Sequence, residues 1–515
     1  MPGGKRTALA LAFALVGIAT RGSAQGSPYV PLDDISYTYV DALQARGELR
    51  ELPVLERPYT EGVLRAAIDS ARAKGPGAVV ASYLDGLGRS IAKYAVRPHS
   101  KEASGRPPFR ARFTNDFYVT GQTSGRRELM RADGRSSVRP ATTIRLVMAG
   151  GPVAAAIRPI IDTRLNADPE FTGRQDRTLA GRTEDGYVSA QWKYVELFFG
   201  RLGRNWGPPS QYGLQLGNYA YTYDHAYARF GTRNYGLSTV VTRLDDYKEE
   251  SGAIHQRYFS IHRLALRRGI FEVALSESFL YTGVNRGFEP SLVNPFNVYA
   301  LSWRDENQNG NFGLGFEASV RPRNLGIFSG HVYIDDLQID RDCGLNCDEP
   351  SSYGVTVSAE GLPLRGAQKW YTSYTRVSNL TYRTPAPAET YAVFNVGLGR
   401  GFSDYDELRV GTDLALVPAT PLKLYVAHRR QGEGDYRRPI PTADQYAVTR
   451  PILSGIVRHV TRVGLSGASR LSVFELGGDV GVNHTTNFAR VVGDARTRFE
   501  GRVRVAIEPR WSLSF

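Results

Sequence analysis

The chain reads as an all-β transmembrane barrel of antiparallel strands, preceded by a small N-terminal α-helical domain. Three observations lead there. From Phe109 onward apolar and polar residues alternate with period two, over about 400 residues. Beyond the N-terminus no stretch reaches the roughly 18 uncharged apolar residues that a membrane helix needs. The last strand keeps its alternation up to an aromatic C-terminal residue.

The first residues read as an address. Lys5 and Arg6 precede an apolar run from Ala8 to Ala19, and the small residues Gly22, Ser23 and Ala24 follow. This is the pattern of a secretory signal peptide over residues 1–24, cleaved after Ala24. The mature chain then starts near Gln25 in an oxidising compartment. There Cys343 and Cys347 are expected to close a small disulfide loop, the alternative being two free thiols.

Residues 25–105 form the expected helical domain. Val40 and Leu43, then Leu49, follow an interrupted helical spacing. Thr60 is placed to cap a helix carrying Val63, Leu64, Ala67, Ile68 and Ala71. Gly75-Pro76-Gly77 stops it, and Val79, Val80, Tyr83, Leu84, Leu87, Ile91 and Tyr94 give a third stripe. The segment from Ser100 to Pro108 reads as a linker.

Residues 106–515 form the expected barrel. Phe109, Ala111, Phe113, Asn115, Phe117 and Val119 alternate with Arg110, Arg112, Thr114, Asp116, Tyr118 and Thr120. The same pattern runs through Phe312 to Arg321, Tyr353 to Ala359 and Leu408 to Leu416. Spacing alone predicts about 16 to 20 such strands. A soluble sandwich alternates too. The length of the array, the charged residues on the polar face and the aromatic residues at strand ends (Trp192, Tyr194, Trp370, Tyr371) favour a membrane barrel. Phe499, Gly501, Val503, Val505, Ile507, Pro509, Trp511, Leu513 and Phe515 occupy one face of the final strand. An ending of this kind resembles the signal that outer-membrane barrel assembly machinery reads, here at Phe515. The expected location is the cell outer membrane, in contact with its lipid, with the helical domain in the periplasm.

Composition narrows the function. The chain has 515 residues, of which 42% are hydrophobic, which excludes global disorder. Its two cysteines exclude a disulfide scaffold and a four-cysteine zinc site. The formal charge is +13, and 56 of the 64 basic residues are arginine. Genomic base composition explains such a bias without function. Guanidinium forks also pair with carboxylates and phosphates, which suits acidic polysaccharide or lipid headgroups. Nucleic acid is not an expected partner of an exported protein.

The segment Phe198-Phe199-Gly200-Arg201-Leu202-Gly203-Arg204-Asn205-Trp206-Gly207-Pro208 resembles the Arg-x-x-Arg-x-Trp-Gly-Pro signature of Wzi-like capsule-assembly outer-membrane proteins. Three further stretches agree: Asn294-Pro295 ahead of Asp305 to Asn311, Asp335-Asp336 after His331 to Ile334, and Arg57-Pro58-Tyr59-Thr60. The resemblance implies about 18 strands, a periplasmic helical bundle, and a non-enzymatic, lectin-like role in holding exported capsular or exo-polysaccharide at the cell surface. It also implies contact with polysaccharide export proteins. The Cys343–Cys347 loop and the arginine-rich composition are not associated with that family's core.

Arg201, Arg204, Trp206 and Tyr212 are the candidate polysaccharide-binding residues. An indole face stacks on a sugar ring, and arginine clamps a sugar carboxylate. Tyr219, Tyr221, Tyr223 and Tyr227 would extend the aromatic track. The structural alternative is a strand end whose Trp206 packs in an interface girdle, with the arginines pairing lumen carboxylates. Asp305, Asn307, Asn309 and Gly310 match half of a calcium loop, but its twelfth position is Phe316, so a flexible hairpin loop is the better reading and no metal is expected. No G-x-S-x-G or H-E-x-x-H motif occurs. The chain is therefore expected to be non-catalytic and without cofactor. The rival reading is a porin or diffusion channel whose lumen arginines select anionic solutes.

Overall fold

The computed structural model describes residues 26–96, 109–131, 136–306, 310–336, 350–508 and 513–514. The expectations for Ala24, the 100–108 linker, Asn307, Asn309, Cys343, Cys347 and Phe515 lie outside the described residues.

Eighteen antiparallel strands close into one barrel. The first six are β1 (Arg110–Gln122), β2 (Ser137–Gly150), β3 (Val153–Asp162), β4 (Gly181–Gln191), β5 (Val195–Arg201) and β6 (Asp224–Gly231). The next six are β7 (Tyr235–Arg243), β8 (Ile254–Arg268), β9 (Phe271–Val284), β10 (Asn311–Val320), β11 (Ile327–Asp336) and β12 (Ser352–Pro363). The last six are β13 (Lys369–Val377), β14 (Tyr405–Val417), β15 (Thr420–Gln431), β16 (Arg458–Leu471), β17 (Phe474–Thr486) and β18 (Ala495–Ile507). Each pairs with its sequence neighbour. Closure comes from β18 against β1, with Phe117 opposite Ile507 and Gln122 opposite Arg502. A closed barrel leaves no strand edge unpaired, which hydrocarbon surroundings demand.

The alternation sorts side chains as the period-two pattern requires. Phe117, Val119, Phe316, Leu408, Val410, Phe499 and Val505 face outward, whereas Asp116, Tyr118, Glu317, Glu500 and Ala506 are buried in the lumen. The strand-end aromatics divide. Tyr194 and Trp370 are exposed on the outer wall and Trp192 is half-buried. Tyr371 departs from the expected girdle. It turns into the lumen, where the Lys423 ammonium lies 4.9 Å from its ring centre.

The two ends of the barrel differ. Eight connections at one end are short, such as Gly151-Pro152, Gly269-Ile270, Pro418-Ala419 and Ser472-Val473. The other end carries the nine longer loops.

The N-terminal segment closes the short-turn end. It contains α1 (Ser36–Gln44), α2 (Glu61–Arg72) and α3 (Ala78–Ile91). Thr60 caps α2 as its position suggested, its hydroxyl accepting from Val63 N–H at 3.4 Å. Val40, Leu43, Leu64, Ala67, Leu84 and Leu87 form a dry core between the helices. Polar contacts then seat the segment on the short turns. Tyr39 donates to the Ala419 carbonyl at 2.8 Å. Arg46 pairs with Asp413 at 3.0 Å, and Lys93 with Glu475 at 2.7 Å.

Candidate functional site

The lumen is filled at mid-height by two inward-folded long loops, residues 202–223 and 378–404. Their contact is backbone to backbone: Gly217 N–H donates to the Leu398 carbonyl at 2.8 Å. A methyl group on Gly217 would sit 2.4 Å from the Gly399 carbonyl oxygen, so that approach requires glycine. Tyr391 donates to the Gln215 carbonyl at 2.9 Å, and Tyr382 to the Leu214 carbonyl. Gln215 ties the plug to the wall, donating to Ser278 at 2.8 Å and to the Gly313 carbonyl at 3.0 Å, while Ser276 donates to it at 2.6 Å. Tyr333, Tyr382 and Tyr391 stack beside it, with ring centres 5.5–5.8 Å apart.

The four candidate binding residues do not converge. Arg201 ends β5 beside exposed Asp224, its Nη2 2.7 Å from the carboxylate, and its Nη1 donates to the Thr183 carbonyl. Arg204 lies in an aromatic cage, with its guanidinium 3.7 Å from the Tyr227 ring centre, 4.6 Å from Phe198 and 5.5 Å from Tyr29. Its Nε donates to His225 Nε2 at 2.8 Å. Trp206 is neither a girdle residue nor an open stacking platform. It is 2% exposed within the plug, and its backbone pairs in register with Glu56 of the N-terminal segment and donates its amide N–H to the Leu216 carbonyl at 2.9 Å. Arg-x-Trp-Gly-Pro is thus where the chain leaves the wall to build the plug. Arg204 lines a cavity of about 790 Å³ beside the N-terminal segment, and Tyr212 lines a second one against the opposite wall.

That cavity, of about 620 Å³, lies between the plug and the inner wall of β14 to β18. Arg127 to Met130 of the first long loop line it at one end, and Leu32, Asp33 and Ile35 of the N-terminal segment at the other. Nine arginines line it against five carboxylates. Arg462 is fully paired: it donates to Asn483 and Tyr425 and forms an ion pair with Asp479 at 2.6 Å. Others keep buried donors without a partner, among them Arg400 Nε, Arg409 Nε, Arg502 Nε and Arg504 Nε. Arg400 is 7% exposed and spends one Nη on Thr356 at 3.2 Å. An unpaired buried guanidinium N–H forfeits its water without replacement, so such groups mark where an anion gains most.

Aromatic rings cross the cavity's upper wall. Tyr212 and Tyr219 meet edge-on at 5.3 Å, and Tyr219 meets Phe402 at 6.3 Å. Arg127 lies over Tyr221 at 4.3 Å, and Arg131 over Phe402 at 4.7 Å. Burial pushes the Tyr212 and Tyr219 phenols above their ordinary values, so at neutral pH they add no negative charge to cancel the arginines.

Convergence of Arg127, Arg400, Arg409, Arg502 and Arg504 was the part missed by sequence reasoning. The signal for Arg409, Arg502 and Arg504 was the arginine excess on alternating strand positions, whereas Arg127 and Arg400 come from loops, and only barrel closure and the inward folding of the plug bring all five to one cavity. Asp305 follows a short helix, Tyr299–Arg304, and among the described residues no cluster of metal-ligating side chains occurs.

Neither a protein-family model nor the sequence of a curated protein matches the chain. A solved structure does resemble it. Wzi of Escherichia coli is described as an outer-membrane protein involved in group 1 capsule assembly and as a carbohydrate-binding β-barrel. It superposes with a TM-score of 0.64 at 11% identity, over 95% of this chain and 100% of its own. OpdK of Pseudomonas aeruginosa, an outer-membrane protein, gives 0.44 at 11% identity over 80% of this chain and 100% of its own. OprD of the same organism gives 0.41 at 10%, over 80% and 97%. The first likeness is one of fold, an outer-membrane-type barrel with its N-terminal segment included in the match.

Proposed function

We infer that this protein is a non-catalytic outer-membrane barrel that binds exported acidic polysaccharide and holds it at the cell surface. The observation that carries this reading is a lumen filled at mid-height by a hydrogen-bonded plug and capped at the short-turn end by helices, beside a cavity rich in unpaired arginine donors. A filled lumen suits retention better than bulk diffusion. Short turns face the periplasm in barrels of this kind, so the helical unit of residues 26–96 belongs on that side and the long loops outside. Sugar carboxylates would pair with Arg127, Arg400 and Arg502, with Tyr212 offering a ring. Phe515 would serve recognition by the assembly machinery, and the periplasmic helices would meet export proteins. Wzi, the barrel it resembles in fold, is described as carbohydrate-binding, which is consistent with this reading.

The arginine-lined cavity also suits a channel for small anions, and one pair of experiments separates the two. Deleting the gene and measuring polysaccharide in cell-bound and medium fractions tests retention. Release into the medium at unchanged total supports it, and Arg400→Gln with Arg502→Gln should reproduce the release in correctly assembled barrels. Unchanged fractions, together with steady anion-selective conductance in a planar bilayer, would replace this reading with the channel.

A further inference from the structure

The connection between β9 and β10, described over residues 285–306, does not extend away from the barrel. It folds down over the outer wall. Thr239, Ser260, His262 and Glu277 sit on the outward face of β7, β8 and β9, as their register against inward Ser238, Arg263 and Ser276 requires. Outward residues at this height should meet lipid, yet all four are buried. The loop covers them.

Its attachment is specific. Tyr299 N–H donates to Glu277 Oε2 at 3.0 Å, and the same oxygen lies 3.0 Å from His262 Nε2. Leu292 and Tyr299 are fully buried against outward Tyr258, Phe279 and Tyr281. Trp303 stacks on outward Phe312, with ring centres 5.8 Å apart. Phe296 reaches outward Phe230 on β6 at 5.9 Å, level in register with Leu237 and Leu264.

The outer surface of the loop's central stretch, residues 296–303, is apolar, and exposed polar residues such as Ser291, Asn294, Asp305 and Glu306 flank it. Phe296 is 72% exposed, Leu301 55%, Phe288 53% and Trp303 47%. These side chains continue the apolar belt formed by Leu264, Leu275 and Phe316 on the adjoining strands. A loop destined for water would expose its polar residues and bury its rings. This one covers a histidine–glutamate pair of the barrel wall and turns the rings of Phe296 and Trp303 outward.

We propose that residues 285–306 form a flap embedded in the hydrocarbon of the membrane leaflet on the long-loop side, where acyl chains are its partner and where it shields a polar patch of the barrel wall. Continuity with the lipid-facing belt identifies the occupant, because hydrocarbon is what that belt already contacts.

Spin labelling tests this on the full-length protein in dioleoylphosphatidylcholine vesicles. Cys343 and Cys347 are replaced by serine, and Phe296→Cys carries the single label. Collision with oxygen, which concentrates in lipid, is compared with collision with a water-soluble nickel chelate. Leu264→Cys on the bare wall gives the lipid reference, and Asp176→Cys in an exposed loop the aqueous one. The expected oxygen-to-nickel ratio at Phe296 matches that at Leu264 and exceeds that at Asp176 several-fold. A ratio matching Asp176 places the flap in water and overturns the proposal. Protection from both agents means that protein covers the flap, and overturns it equally. The same measurement at Leu301→Cys decides the matter if the label at Phe296 lifts the loop.

Discussion

Lys93 holds the helical segment in the barrel, and its removal has a calculable consequence. Its ammonium lies 2.9 Å from Asp34 and 2.7 Å from Glu475, and all three side chains are at most 8% exposed. Glu475 keeps a second cation, Arg470, if Lys93 is lost. Asp34 keeps hydrogen bonds from Ser36 N–H at 2.9 Å and Tyr94 at 2.8 Å, but among the described residues it has no other ion-pair partner. Lys93→Met therefore leaves a buried carboxylate without its cation, which costs about 3–5 kcal/mol. That corresponds to roughly two to three and a half decades in the population of the undocked segment. Chymotrypsin reads this population at Tyr39 and Tyr83, both buried against the barrel turns or the neighbouring helix. Cleavage there should accelerate by about a hundredfold or more while the barrel strands stay intact. The double variant Lys93→Met with Asp34→Asn should recover most of the protection, because the uncompensated charge is gone. A cleavage rate for Lys93→Met within about threefold of the parent would refute the reasoning and show that apolar packing alone seats the helices.

Three further outcomes follow from the same contacts. Burial opposes ionisation of Asp34, but Lys93 and the Ser36 N–H outweigh it and hold the carboxyl below its ordinary value; burial likewise opposes charge on Lys93, but Asp34 and Glu475 raise it. The Asp34 contribution is present above the ordinary carboxylate value and fades as pH falls through the depressed one, while that of Lys93 is lost only as pH rises through its raised value. Chymotryptic protection should thus be flat between about pH 5 and 9, and proteolysis by an acid-active protease at the same segment should quicken below about pH 4. Trp206→Ala should destabilise the plug by about 3–5 kcal/mol, seen as a lowered thermal transition, and lose surface polysaccharide only in proportion to misassembled barrel. Gly217→Val, whose side chain would meet the Gly399 carbonyl, should part the two plug loops and raise single-channel conductance in a planar bilayer; unchanged conductance would mean that the loops do not block the path.

The sequence by itself determined the barrel, because the membrane imposes one rule on every strand. Phe117 and Val119 outside with Asp116 and Tyr118 inside follow from period two alone, and so does the face shared by Phe499, Val503 and Val505. The capped helix after Thr60 is equally local. What lies inside the barrel was decided by tertiary structure. Trp206 and Arg204 read as a sugar-binding pair or as a girdle residue beside a lumen arginine, but a loop that folds inward sends the indole into the plug and the guanidinium into an aromatic cage. The arginine cavity assembles residues from opposite ends of the chain, Arg127 beside Arg502 and Arg400, which no spacing records. The outer-wall flap is the clearest case. His262 and Glu277 obey the alternation yet carry the wrong chemistry for lipid, and only the path of residues 285–306 supplies the cover that makes them tolerable. Periodicity reports the environment that a strand expects, whereas the loops decide where that environment is replaced by protein.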